Sequence, residues 1–239
     1  MTISDMRAPF GVKHFGSEAL KRGRSLSGAR VLVAGCGDGS EAHYLASTSR
    51  AIVTAIDIGP LPAGNDGGQN LRFLHASVTD LPFCDASFDA VFCHHVLEHV
   101  DRPDAAVREL SRILTSHGVA YIGTPNRDRI VGYIGSRGTP WKTKLKWNLD
   151  DLSARLRGQF RNECGSHAGF GEAELASLLK SAFASVEPVT SAYIWLRYSH
   201  RVPSWCLRLL KFPRLRTLAY PSLYFWCSKD DSVKSLDVV

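Results

Sequence analysis

The stretch Val31-Leu32-Val33-Ala34-Gly35-Cys36-Gly37-Asp38-Gly39-Ser40 constrains the fold more than any other, because an apolar run ends in glycines spaced Gly-x-Gly-x-Gly. Four apolar residues stopped by a glycine turn read as a buried strand. Such a turn at the carboxyl end of a parallel strand lets a ligand reach the backbone, and the helix starting at Ser40 offers its first N–H groups to that ligand. A second strand-like run, Ala51-Ile52-Val53-Thr54-Ala55-Ile56, ends in Asp57, twenty-two positions after Gly35. A carboxylate at that offset is placed to accept hydrogen bonds from the two ribose hydroxyls of an adenosine. The third glycine separates two readings. A dinucleotide fingerprint needs Gly or Ala one place later, where Ser40 stands, so no glycine clears room for a pyrophosphate.

Periodicity and breakers predict alternating strands and helices. One or two short helices are expected within residues 10–29, then strands Arg30–Ala34, Ala51–Ile56, Leu71–Ala76, Phe88–Cys93 and Val119–Gly123. Between them come a helix from Ser40 to about Ser47, a Gly/Pro-rich loop over Gly59–Gln69 and a helix Pro103–Leu114, bordered by its own proline and by Gly118. Residues 124–170 are irregular, with one helix near Leu149–Leu156. A helix Gly171–Ala182 and strands Ser185–Trp195 and Leu223–Ser228 follow, with Tyr198–Tyr220 as their connector.

With 239 residues, 44% hydrophobic and 22% charged, the chain suits one α/β domain spanning 1–239. No run reaches the ~18 apolar residues that span a bilayer, and no apolar core follows basic residues at the N-terminus, so a cytoplasmic protein is expected. Cys36, Cys84, Cys93, Cys164, Cys206 and Cys227 include no C-x-x-C pair and read as reduced, structural thiols. The net charge of +6 is concentrated: residues 127–161 hold nine basic side chains against three acids, and residues 197–217 hold six with none. Such segments are either solvated faces or attract an anionic acceptor, an acidic lipid surface or nucleic acid. Residues 198–220 have the composition of an interfacial membrane contact, although Pro203 and Pro213 break any long helix there.

Further along, Leu81-Pro82-Phe83-Cys84-Asp85-Ala86-Ser87-Phe88-Asp89-Ala90-Val91-Phe92-Cys93-His94-His95-Val96-Leu97-Glu98-His99-Val100 and Arg112-Ile113-Leu114-Thr115-Ser116-His117-Gly118-Val119-Ala120-Tyr121-Ile122 follow in order. With the glycine turn and Asp57, residues 31–126 resemble the class I S-adenosylmethionine-dependent methyltransferases. The likeness is to the small-molecule branch of ubiquinone, menaquinone, sugar and natural-product enzymes. The resemblance implies an α/β fold: a Rossmann-like doubly wound sheet of seven strands, mostly parallel with the last antiparallel, and helices on both faces. It implies cofactor-covering helices over 1–29, a cofactor-binding core over 30–126, an acceptor-binding insertion over 127–170, and a closing helix and strands over 171–239. S-adenosyl-L-methionine would meet Gly35, Cys36, Gly37 and Gly39 along its methionine part, Asp57 at the ribose, Ile58 at the adenine, and Ser77, Val78 and His94 nearby. Two departures stand out. Ala76-Ser77-Val78 replaces Gly-Asp-Ala, with Asp80 displaced toward Leu81, and Val33 replaces an acid that Asp38 or Glu41 would supply.

Methyl transfer from a sulfonium is an in-line displacement that needs alignment and, for a hydroxyl acceptor, a base. The strand Phe88–Cys93 delivers His94 and His95 to the carboxyl edge, where His95 is the first candidate base and His167 the second. Glu98 and His99 are read as packing the following helix. His95 and His99 are spaced to share a helix face, but no third ligand is evident, so no protein metal site is assigned; a loosely held Mg2+ assisting a hydroxyl stays open. Asn126 is a candidate to orient the acceptor, and Thr124-Pro125-Asn126 lacks the Asn-Pro-Pro-Tyr pattern of enzymes acting on base or glutamine nitrogens. The expectation is O-methylation of a hydroxyl on a sugar, glycolipid or other small metabolite. Its rivals are C-methylation of a quinone-like ring in a pocket lined by Trp141, Trp147 and Trp195, and an RNA- or membrane-binding protein on the same scaffold.

Overall fold

The computed structural model describes residues 9–62, 69–130, 132–133, 139–162, 168–200, 202–210 and 212–230. Its elements are α1 (Phe10–Lys21), β1 (Arg30–Ala34), α2 (Ser40–Ser49), β2 (Ile52–Asp57), β3 (Leu71–His75), β4 (Phe88–His94), a 3-10 turn (Leu97–His99), α3 (Pro103–Arg112) and β5 (Leu114–Pro125). They continue as α4 (Trp141–Leu156), α5 (Glu172–Lys180), β6 (Ser185–Pro188), α6 (Thr190–Tyr198), α7 (Ser204–Leu209), α8 (Pro213–Ala219) and β7 (Ser222–Ser228). The seven strands form one sheet in the order β3-β2-β1-β4-β5-β7-β6. β7 is antiparallel to both neighbours, and the other six share one direction.

Side chains alternate across a strand, so each strand feeds two cores. Val31 and Val33, Ala90 and Phe92, and Tyr224 and Trp226 face Val12 and Phe15 of α1, Leu45 of α2 and Tyr193 of α6. Leu32, Val91, Cys93, Ile122 and Phe225 face Val107 and Leu110 of α3 and Leu175 and Leu179 of α5. The strand order reverses between β1 and β4, and the crevice at their carboxyl ends is where a ligand meets a sheet of this kind.

The expected strand Ser185–Trp195 is instead a short β6 followed by α6. Pro188 brings no N–H to a ladder, the Val189 N–H goes to the Tyr224 carbonyl, and the helix from Thr190 then buries Tyr193 and Ile194. The helix expected to reach Leu114 stops at Arg112, because Leu114 already pairs with Phe88 across a register shift. α4 starts at Trp141, eight residues before the expected Leu149, and the connector between β6 and β7 carries α6, α7 and α8. Among the described residues no helix is long and apolar enough to cross a membrane. Cys36, Cys93 and Cys227 are buried free thiols, and Cys84 is an exposed one.

α1 crosses the sheet through His14, which is 1% exposed. Its Nδ1 lies 2.7 Å from the Tyr121 hydroxyl, Tyr193 meets its edge at 5.5 Å, and Glu18 stands 3.5 Å from Nε2. Burial pulls the His14 pKa down to about 4, the Glu18 carboxylate opposing it only in part. The unfolded imidazole binds its proton near ~6.5, so stability is full above that pH and falls as the pH drops toward 4. The loss should reach about 3 kcal/mol by pH 4. Urea unfolding at pH 7 and pH 5 measures this slope, and His14→Gln should flatten it even where it lowers stability at both pH values.

Candidate functional site

A cavity of about 520 Å³ opens at the carboxyl ends of β1, β2 and β4. It brings together Gly35, Gly37, Asp57, Ile58, Ser77 and Val78, all expected at a cofactor. The turn after β1 is built around glycine for two different reasons. Gly35 has φ +69°, and a Cβ there would lie 2.2 Å from Val96 Cγ2. Gly37 has φ +50°, and a Cβ there would meet nothing within 4 Å, so its backbone faces open space in the cavity wall. Asp57 ties the turn down: Oδ2 accepts the Gly37 N–H at 2.8 Å and Oδ1 the Gly59 N–H at 2.8 Å. Ser77 shares a 2.8 Å hydrogen bond with Thr79 Oγ1.

Three other expected contacts sit elsewhere. Cys36 is buried beneath the turn, its N–H bonded to the Ile56 carbonyl. Gly39 begins α2 at φ +77°, its missing side chain leaving space occupied by Pro62 and Phe73. His94 points into a second, adjoining cavity of about 440 Å³, walled in part by Tyr133, Tyr193, Tyr198 and Tyr224. There its Nδ1 lies 2.9 Å from Glu41 Oε1 and its Nε2 3.3 Å from the Tyr224 hydroxyl. Burial pushes the Tyr224 phenol well above its usual range, so it stays protonated. Glu41 thus holds a histidine, while Asp38 accepts the Ser40 N–H at the start of α2.

His95 lies on the wall common to both cavities. It holds φ +57°, a strained backbone for a residue with a side chain, and its N–H is anchored on the Gly123 carbonyl at 2.8 Å. Its Nδ1 is 3.1 Å from Oε1 of the buried Glu98, and the side chain is 39% exposed. Burial and the neighbouring His94 lower its pKa, with Glu98 opposing them. An Nδ1–H donated to Glu98 leaves the lone pair on Nε2. His99 also borders both cavities.

His167 lies outside the described residues. Asn126 does not reach either cavity: it is fully buried, and its amide donates to the carbonyls of Thr217 and Tyr220. Trp141, Trp147 and Trp195 are exposed and line neither cavity. The aromatic wall comes instead from tyrosines, two of which the periodicity assigned to strands as filling. Arg129 and Arg197, which also line the second cavity, were legible only as members of basic segments. Among the described residues no group of three or more His, Cys, Asp or Glu side chains is placed to hold a metal ion, so the Mg2+ expectation gains no support.

The two glycines make separable demands on stability. Gly35→Ala adds overpacking to a left-handed backbone, together costing about 2–5 kcal/mol, whereas Gly37→Ala adds only the backbone cost of about 1–2 kcal/mol. Urea midpoints of the two variants should fall in that order, and equal losses would mean that Val96 moves aside freely.

Comparisons with known proteins point the same way as this geometry. A family model described as a methyltransferase domain matches residues 32–122. A ubiquinone biosynthesis O-methyltransferase of Xanthomonas oryzae pv. oryzae is 33% identical over 168 residues, covering 57% of this chain and 70% of that enzyme. Among solved structures, the 1,6-didemethyltoxoflavin-N1-methyltransferase of Burkholderia thailandensis, bound to S-adenosylhomocysteine, superposes with TM-score 0.53 at 18% identity over 95% of this chain and 78% of its own. Phosphoethanolamine N-methyltransferase 2 of Haemonchus contortus, bound to S-adenosyl-L-methionine, gives 0.54 at 18% identity over 91% and 53%. At that identity the structures speak for the fold alone. The cleft fits the cofactor they share on its own features: an open backbone at Gly37, an acceptor-only carboxylate at Asp57, and apolar surface at Ile58 and Val78. Turn, strand order and a relative of which 70% aligns at this identity agree: the chain belongs to the class I S-adenosylmethionine-dependent methyltransferases.

Proposed function

We propose that the protein methylates a hydroxyl of a ring-bearing small molecule, with His95 as the base. The observation that carries this reading is the place of His95 on the wall between the two cavities, its Nδ1 on Glu98. S-adenosylmethionine, when bound, supplies a sulfonium methyl group to the nucleophile. Gly35, Gly37, Asp57, Ile58, Ser77 and Val78 would hold it. Asp57, already fixed by two backbone N–H groups, keeps lone pairs for ribose hydroxyls, and Ile58 and Val78 offer an apolar face to the base.

The second cavity would take the acceptor. Its tyrosines offer flat faces for a ring, and the Glu41–His94–Tyr224 chain fixes the polar part of its wall. Glu98 orients His95 so that Nε2 takes the proton from the acceptor hydroxyl as the oxygen attacks. A lowered pKa keeps that nitrogen unprotonated at neutral pH. Proton transfer to imidazole is better matched from a phenol of pKa ~10 than from an aliphatic alcohol, which favours a phenolic ring over a sugar or glycolipid. The name of the ubiquinone O-methyltransferase relative supports oxygen as the acceptor atom. The C-methylation rival loses its motive, since the tryptophans that suggested it stand on the surface. His167 stays the second candidate base.

Three outcomes are expected. Asp57→Ala should weaken S-adenosylhomocysteine, read by calorimetry, by about tenfold or more with circular dichroism unchanged. His95→Ala should keep that affinity and lower kcat by about 100-fold or more with a catechol as test acceptor; unchanged turnover would transfer the base role to His167. The acid limb of kcat/KM should lie below ~6.5, since protonating His95 removes the base. Glu98→Gln, by removing the carboxylate that opposes this shift, should move the limb to still lower pH.

A further inference from the structure

We propose that α4, together with α7 and α8, docks the protein on an anionic lipid bilayer beside the mouth of the acceptor cavity. α4 is amphipathic the wrong way round for a helix of a water-soluble protein. None of its sixteen residues is buried. Trp141, Leu145, Leu149, Leu152 and Leu156 fall within about 80° of arc at ~100° per residue, and they are 69%, 51%, 57%, 52% and 83% exposed. The side that meets the protein is polar apart from Trp147, whose ring packs on Tyr133 at 5.0 Å. Asn148 accepts the Gly132 N–H, Asp151 pairs with Arg129, and Arg155 donates to the carbonyls of Arg127 and Arg129. An apolar stripe that the fold leaves in water while polar residues make the internal contacts is the arrangement of an interfacial helix.

The surface continues past the helix. Ile130, itself exposed, bonds through its N–H to the Leu218 carbonyl of α8, where Leu215 and Leu218 are exposed, and Trp205 and Leu209 of α7 and Phe212 extend the apolar area. Arg129 and Tyr133, which contact α4, and Tyr198 and Pro221, which end α6 and follow α8, line the acceptor cavity, so the chain next to both parts of this surface reaches its wall.

Charge selects the occupant. Lys142 and Lys146 border the stripe, and Arg157, Arg161 and Arg208 are exposed as well, whereas Arg127, Arg129 and Arg216 are paired with Glu174, Asp151 and Glu172. A second copy of the chain would bring like charges together, and RNA has no use for the apolar stripe. A bilayer of anionic lipid satisfies both at once, with leucines and tryptophans in the headgroup boundary and lysines on phosphates. The consequence that the acceptor arrives from the membrane rests on the methyltransferase reading; the docking does not.

The test is co-sedimentation of the full chain with vesicles of phosphatidylcholine, with and without phosphatidylglycerol. Wild type should sediment with the phosphatidylglycerol vesicles, less as salt rises. The combined Leu145→Glu, Leu149→Glu, Leu152→Glu variant should bind at least about tenfold more weakly, and Lys142→Glu, Lys146→Glu should lose the preference for phosphatidylglycerol. These positions are exposed, so the variants should fold and keep the affinity for S-adenosylhomocysteine, which reads the cofactor site separately. Wild type left in the supernatant, or a triple variant that sediments equally, would overturn the proposal. So would a dimer broken by the triple variant, or retention on single-stranded RNA, without vesicle binding.

Discussion

One carboxylate closes the floor of the site. Asp57 ends β2, and each of its oxygens accepts one backbone N–H, that of Gly37 in the turn after β1 and that of Gly59 beyond β2. The ends of two neighbouring strands are thus held at one point, and the chain between Gly35 and Gly39 takes a path with φ positive at each of its three glycines. Val96 presses against Gly35 from the segment after β4. The ladder holds the three strand ends that enclose this cavity, while that carboxylate and the absence of one Cβ shape the turn between them.

The same crowding explains how two adjacent histidines acquire separate tasks. Leaving β4, His94 keeps strand geometry and turns toward the face covered by α1 and α2, where Glu41 and Tyr224 take both of its nitrogens. His95 has left the strand at φ +57° and meets Glu98 in the next turn. The backbone reversal swings its ring onto the partition between the cavities. A strained conformation at one residue of a site is sustained only where its surroundings over-determine it, and the Gly123 carbonyl and Glu98 do so here.

The sheet was readable from the chain because β1, β2, β4 and β5 are buried on both faces, and continuous apolar runs ended by Gly or Asp leave little alternative. That Gly35, Gly37, Asp57, Ile58, Ser77 and Val78 share one cleft was readable as well, since they end or follow β1, β2 and β3. What escaped is what depends on tertiary partners. Ser185–Trp195 is rich in strand-like residues, but the pairing ends where Thr190 Oγ1 accepts the Tyr224 N–H, and the helix that follows buries Tyr193 and Ile194. Asn126 looked available at a strand end, but its amide is consumed by two carbonyls of the chain preceding β7, contacts nearly a hundred residues away. The acceptor wall was invisible because Tyr133, Tyr193 and Tyr224 come from three distant segments with no motif linking them.

α4 shows the limit from the other side. Its sequence carries an apolar stripe at helical spacing, and the ordinary reading of such a stripe is a face turned to the core. The fold contradicts that reading because Asn148 bonds Gly132, Asp151 pairs with Arg129, and Arg155 donates to the carbonyls of Arg127 and Arg129. Buried polar groups left without partners would cost about 1–3 kcal/mol each with no remedy outside the chain, whereas leucines left in water can still recover their transfer energy against an external partner. Polar demand on one side of the helix thus fixes its rotation, and the apolar side is left for something outside the chain.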